Sequence, residues 1–117
     1  MAAYTLGVIG NKAAIPALKK ALDDESKDVQ WNAALALAQL QDRAGLPVLH
    51  QILDRTYLDR IPELNESQKI DVMQNAIRGV ALLKDPSARP LLENLLKTES
   101  NPTLTEETRK ALESLKR

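Results

Sequence analysis

Few side chains in this 117-residue sequence are equipped for chemistry. His50 is the only histidine and there is no cysteine, which removes disulfides, thiolate nucleophiles and His/Cys metal clusters together. No Gly-x-Ser-x-Gly elbow and no glycine-rich phosphate loop occurs. The acidic stretch Asp23, Asp24, Glu25 and Asp28 lacks the central glycine and closing bidentate glutamate of a calcium loop. It more simply supplies negative charge at a helix N-terminus. The expectation is a chain with no catalytic residue, no metal and no cofactor, and hence no enzyme.

Charge narrows the partners. Lys plus Arg and Asp plus Glu number 16 each, a formal net charge of zero. A nucleic-acid binder usually carries a basic excess to neutralise phosphates, so nucleic acid is not expected. The longest apolar run, Ala33 to Ala38, is far short of a membrane span. The start MAAYTLGVIGN lacks the basic opening and long apolar stretch of a signal peptide. No membrane association and a cytoplasmic location are therefore expected.

A repeat organises the elements. NKAAIPAL from Asn11, DRAGLPVL from Asp42 and DPSARPLL from Asp85 align, at offsets of 31 and 43 residues. Each opens on Asn or Asp, a side chain whose oxygen can accept a free backbone N–H of a first helical turn. Each carries proline at its sixth position (Pro16, Pro47, Pro90), then leucine two residues later (Leu18, Leu49, Leu92) and again four residues on (Leu22, Leu53, Leu96). That spacing is helical. Pro86 follows Asp85 at a first helical position, where a missing N–H costs nothing. The recurrent proline lies about a turn deeper and is expected to bend its helix.

Second helices lie between these segments. VQWNAALALAQL from Val29 aligns with VMQNAIRGVALL from Val72 at the same offset of 43. AYTLGVIG at the start matches the end of that element, and a copy ending ALESLKR closes the chain, with a capping-box spacing at Thr103 and Glu106 or a cap at Thr105. Only 3% of residues are aromatic and Phe is absent, so Leu, Ala, Ile and Val must fill the core. Expected helices cover roughly 2–9, 12–22, 27–40, 43–54, 67–83, 86–97 and 104–116, with no strand.

The stretch LGVIGNKAAIPALKKALDDESKDVQWNAALALAQLQD resembles the HEAT-like repeat of the phycobilin-lyase type, found in many bacterial and archaeal proteins. The resemblance implies an all-α fold, a right-handed α-α superhelix of about three helix pairs plus a truncated N-terminal helix. Second helices would line its concave side. The repeats divide as a partial copy at 1–10, then 11–41, 42–84 and 85–117, expected as one solenoid domain and a fragment of a longer array. Gln30 and Met73 stand where the family usually has arginine, so a common ion pair between repeats is expected to be missing. The second repeat is 12 residues longer than the first, the excess falling near 55–66. The Tyr57, Leu58, Ile61, Leu64 spacing suits a short docked helix, while a functional loop stays open.

Stacking consumes the periodic apolar positions of such repeats. The line left free on each second helix reads Trp31, Leu35, Gln39 and Gln74, Arg78, Leu82, with Tyr4 and Val8 from the first element and Glu106, Lys110 and Ser114 from the last. Tyr4, Trp31, Leu35 and Arg78 are of the types that anchor interfaces. The expected function is a non-catalytic scaffold that binds a protein or peptide on its concave surface, through Tyr4, Trp31, Leu35, Gln39, Gln74, Arg78 and Leu82. For Trp31 and Tyr4 the alternative is mutual packing at the end of the solenoid. Asn32 and Asn75 recur in register, either as a peptide-holding ladder or as buried amides bonded to a neighbouring loop. His50 aligns with Lys19 and is expected to be an exposed surface residue.

Two further readings stand open. The family name implies a bilin-lyase-like subunit, although no acid–base set for that chemistry is evident. The resemblance also extends to HEAT-like DNA-repair glycosylases, against which the neutral charge argues. A passive spacer is the third class, with Leu6 and Ile9 leaving an apolar end that a further repeat or a second copy of the chain would cover.

Overall fold

The computed structural model of the chain describes residues 12–115. They form seven α-helices, α1 (Ile15–Ala21), α2 (Lys27–Gln39), α3 (Leu46–Ile52), α4 (Arg55–Asp59), α5 (Glu66–Leu82), α6 (Arg89–Thr98) and α7 (Pro102–Leu115). No strand occurs among the described residues. The expected partial repeat, with Tyr4, Leu6, Val8 and Ile9, lies outside them.

The proline-marked segments differ from expectation in an informative way. Each opens with a 3-10 turn, at Lys12–Ala14, Arg43–Gly45 and Pro86–Ala88, and the α-helix begins only afterwards. Pro16, Pro47 and Pro90 are thus each the second residue of an α-helix, within the first turn, where N–H groups have no intrahelical acceptor. The expected bend of a longer helix is absent. Proline sets the point at which the tighter turn relaxes into the α-helix.

Helix ends and starts share one device. At the end of α2, Asp42 N–H reaches Leu37 O (2.8 Å) and Gln41 N–H reaches Ala38 O (3.0 Å). At the end of α5, Asp85 N–H reaches Val80 O and Lys84 N–H reaches Ala81 O, both at 3.1 Å. These paired bonds are a Schellman closure, which requires a left-handed residue; Gln41 (φ 64°) and Lys84 (φ 49°) supply it. The next residue, aspartate in both, then turns its carboxylate to the following segment: Asp42 Oδ1 accepts from Ala44 N–H at 2.8 Å and Asp85 Oδ1 from Ser87 N–H at 3.1 Å. One aspartate closes one helix and opens the next. A non-glycine residue at positive φ costs about 1 kcal/mol. Gln41→Gly is therefore expected to raise stability by about 0.5–1 kcal/mol, less the extra unfolded-state entropy of glycine; a lower denaturation midpoint would contradict it.

The chain forms two compact units, Met1–Leu49 and His50–Arg117. In the first, α1 packs on α2 through Leu18, Ala33, Ala36, Leu37 and Leu40. The 3-10 turn Arg43–Gly45 lies so close to α2 that a Cβ on Gly45 would sit 2.7 Å from Ala34 Cα. In the second unit, α7 packs on α5 and on α6. Met73, Ile77, Val80, Leu92, Leu104 and Thr108 are fully buried there. Thr108 Oγ1 donates to Leu104 O at 2.6 Å, which satisfies the buried hydroxyl.

The inserted segment forms α4, with Leu58 wholly buried and Tyr57 partly so; Ile61 and Leu64 are also partly buried but lie beyond the helix. Asn65 starts α5 with a capping box: Gln68 N–H donates to Asn65 Oδ1 (2.8 Å) and Asn65 N–H to Gln68 Oε1 (2.9 Å). The last helix departs from expectation, since Asn101 caps α7 through Leu104 N–H (3.1 Å) and Pro102 is its first residue.

Candidate functional site

In the second unit, His50 on α3 meets Asp85, with Nε2 2.6 Å from Oδ2. The carboxylate is buried, its side chain only 4% exposed, and the imidazole is 30% exposed. Asp85 also accepts from the Ser87 hydroxyl at 2.6 Å. Burial works to raise the Asp85 pKa, but the bonds from Ser87 and His50 outweigh it and hold the carboxyl below the usual value. His50 is thus no exposed surface residue. Its Nε2 is fixed, and Nδ1 has no hydrogen-bond partner among the described residues, which leaves that atom for a further partner.

The repeat explains why a basic residue stands there. Lys19, its equivalent in the first repeat, lies 3.9 Å from Asp42, the equivalent of Asp85. Both pairs join a first helix to the aspartate that opens the next segment. The lysine pair is loose and the lysine side chain 53% exposed. In the second unit an imidazole replaces the lysine at hydrogen-bond distance.

A second polar cluster surrounds Arg55, at the start of α4. Its guanidinium meets Glu66 and lies 3.9 Å from Glu99 and 4.0 Å from Asp59. Nη1 is 3.9 Å from the sulfur of Met73. Partial burial pulls the Arg55 pKa down, and these carboxylates more than reverse it. A guanidinium thus reaches Met73 from the inserted helix. Lys69 adds a 3.0 Å pair with Asp59. Sequence reasoning missed Arg55 because the insertion has no counterpart in the other repeats.

The interface residues expected from the sequence fall out unequally. Tyr4 lies outside the described residues. On α2, Trp31 is buried and its indole N–H finds no acceptor among the described residues, Leu35 is half-buried and Gln39 exposed. On α5, Gln74 and Arg78 come together on Glu107 of α7: Arg78 Nη2 donates to Oε1 at 2.8 Å and Gln74 Nε2 to the same oxygen at 3.3 Å. The hydrogen bond from Arg78 lowers the Glu107 pKa. Leu82 is 49% exposed. Arg78 is 56% exposed, so this clasp contributes under about 1 kcal/mol. Of the two recurrent asparagines, Asn32 is half-buried but Asn75 is exposed, so the buried-amide reading fails at Asn75.

Among the described residues no group of three or more His, Cys, Asp or Glu could hold a metal ion. None of their helices is long and apolar enough to cross a membrane.

Proline-marked first helices and aspartate-linked second helices define the class as an all-α helical-repeat protein. The HEAT-repeat family matches residues 1–61, and the chain belongs to it. The chain is also 33% identical, over 92 residues, to deoxyhypusine hydroxylase of Drosophila melanogaster, and 30% identical over the same length to that of Drosophila pseudoobscura pseudoobscura. The matches cover 79% of this chain but only 27% and 30% of those relatives, so it spans less than a third of their length. These relatives carry an enzyme's name. They overturn the expectation of a non-catalytic scaffold and of a chain with no enzymatic role, which rested on the lack of a recognisable catalytic motif. Repeat helices can carry an enzyme's residues one position at a time, without a contiguous signature.

Proposed function

We propose that this chain is a repeat-built part of an enzyme of the deoxyhypusine hydroxylase type, with His50 as its proton-handling group. The observation that carries the reading is the 33% identity over 79% of the chain. Hydroxylation of a carbon is chemistry that proteins commonly delegate to a metal or an organic cofactor. The donor set of the described residues does not fit a metal, since among them no three candidate ligands converge. The chain's part in the reaction is therefore to hold the substrate and to manage a proton. The pairing of His50 with buried Asp85 supports that role, because it fixes the ring and leaves Nδ1 for a substrate or water.

A chimera tests this. The 92-residue matching segment of the Drosophila melanogaster enzyme is replaced by the corresponding residues of this chain. Given a deoxyhypusine-bearing peptide, the chimera is expected to yield a product heavier by one oxygen atom. A folded chimera without product, beside an active parent enzyme, would refute the reading.

A further inference from the structure

In each of the first two copies of the repeat, one position of the first helix carries the link to the next segment. Lys19 lies 3.9 Å from Asp42, and His50 Nε2 lies 2.6 Å from Asp85 Oδ2. At the offset of 43 residues, the same position in the third copy is Glu93. Its charge is reversed. Glu93 is exposed and makes no ion pair among the described residues.

Glu93 stands in a groove of about 370 Å³ on α6, with Arg89, Leu96 and Lys97 beside it and Leu112 of α7 opposite. Leu96 is 37% exposed, whereas its counterpart one copy earlier, Leu53, is 3% exposed. Within the second unit, Leu53 and Asp54 face Leu91, Leu95, Thr98 and Glu99 across a shared cleft. That is how one copy of the repeat meets the next.

One copy further on, Leu96 and Lys97 stand in the places of Leu53 and Asp54. The first copy holds Ala17, Ala21, Asp24 and Glu25 in the places of Leu91, Leu95, Thr98 and Glu99, at an offset of 74 residues. The two sets are complementary. Lys97 is a cation without an ion pair among the described residues, and Asp24 and Glu25 are exposed anions. Asp24 Oδ1 accepts from Ser26 N–H at 2.8 Å, and the Glu25 carboxylate has no hydrogen bond among the described residues. Ala17 and Ala21 are small enough to leave room for the Leu96 side chain. The first segment opens on neutral Asn11 where the others open on aspartate, so a carboxylate at position 93 meets no like charge there.

We infer that the groove between α6 and α7 is an interface between copies of this chain, and that it takes α1 and the acidic turn after it from a second copy. The contact is head-to-tail and continues the join between copies seen inside the second unit. Because its two surfaces differ, the same contact can repeat along a row of chains. The inference goes beyond the hydroxylase reading and does not depend on it. An inactive chimera would leave it intact, and an active chimera would not establish it.

Sedimentation velocity of the whole chain, at concentrations up to about 1 mM where weak contacts populate, provides the test. The sedimentation coefficient is expected to rise with concentration, and less so at high salt. Lys97→Glu sets like charges against Asp24 and Glu25, and Glu25→Lys sets them against Lys97; each is expected to weaken association at least about tenfold. Both positions are exposed, so both variants are expected to keep the helical circular dichroism of the parent. Mixing the two variants restores opposite charges at either joint and is expected to restore association. A wild-type chain that stays monomeric throughout would overturn the inference. So would variants that associate as the wild type does, or a mixture no better than its components.

Discussion

Asp85→Ala is expected to destabilise the chain by about 2–3 kcal/mol, read as a lower denaturation midpoint. The carboxylate does three things from a buried position. It starts the 3-10 turn through Ser87 N–H, it accepts from the Ser87 hydroxyl, and it holds His50. Loss of a helix cap costs about 1 kcal/mol, and leaving buried donors unpaired costs about 1–3 kcal/mol more. The exposure of His50, at 30%, keeps the total below the cost of breaking a fully buried pair. Asp85→Asn retains the cap oxygen and is expected to lose about half as much. The pH dependence follows from the sign of the shift. The folded-state carboxyl is held below its ordinary value, so its contribution is fully present above about pH 4 and disappears as pH falls through the folded value. Asp85→Asn should flatten that acid limb. An unchanged limb would show that Asp85 is not the group responsible.

Gly45→Ala is expected to cost a similar amount, about 2–3 kcal/mol, for the opposite reason. Here an atom is added where there is no room. The new Cβ would lie 2.7 Å from Ala34 Cα and 2.9 Å from its Cβ, separations that backbone atoms cannot relieve by a rotamer change. Overpacking of this kind costs about 1–3 kcal/mol, and more where backbone must move. The corresponding positions in the other two copies are Ala14 and Ala88, both buried. Alanine is accommodated there, so the penalty belongs to this contact and not to the repeat. A loss below about 0.5 kcal/mol in urea denaturation would mean that α2 and the turn separate easily.

The repeat pattern made much of this architecture legible. Asp42 and Asp85 cap as their chemistry predicts, and helices form between the caps because leucine and alanine recur at helical spacing. Other features were hidden for physical reasons. Gln41 and Lys84 carry no local sign of a left-handed conformation, which the Schellman bonds impose on residues that would otherwise avoid it. Asn65 with Gln68 did carry a capping signature, but it lay inside the insertion and outside the repeat. His50 looked like a solvent residue because its equivalent is Lys19. The difference comes from Asp85, 35 residues away, whose oxygen is within 2.6 Å. Trp31 read as an interface anchor from its type and register, yet the fold buries it. The enzymatic relationship could not be reached by motif at all, since no contiguous catalytic signature exists in this chain.

In the proposed function His50 serves a reaction and does more than join two repeats. Steady-state kinetics of the chimera with His50→Lys tests this most directly. Lysine restores the pair seen between Lys19 and Asp42 but cannot exchange a proton near neutral pH. An unchanged melting temperature, little change in KM and a kcat lower by about a hundredfold are expected. Full activity in that variant would reduce His50 to a structural link.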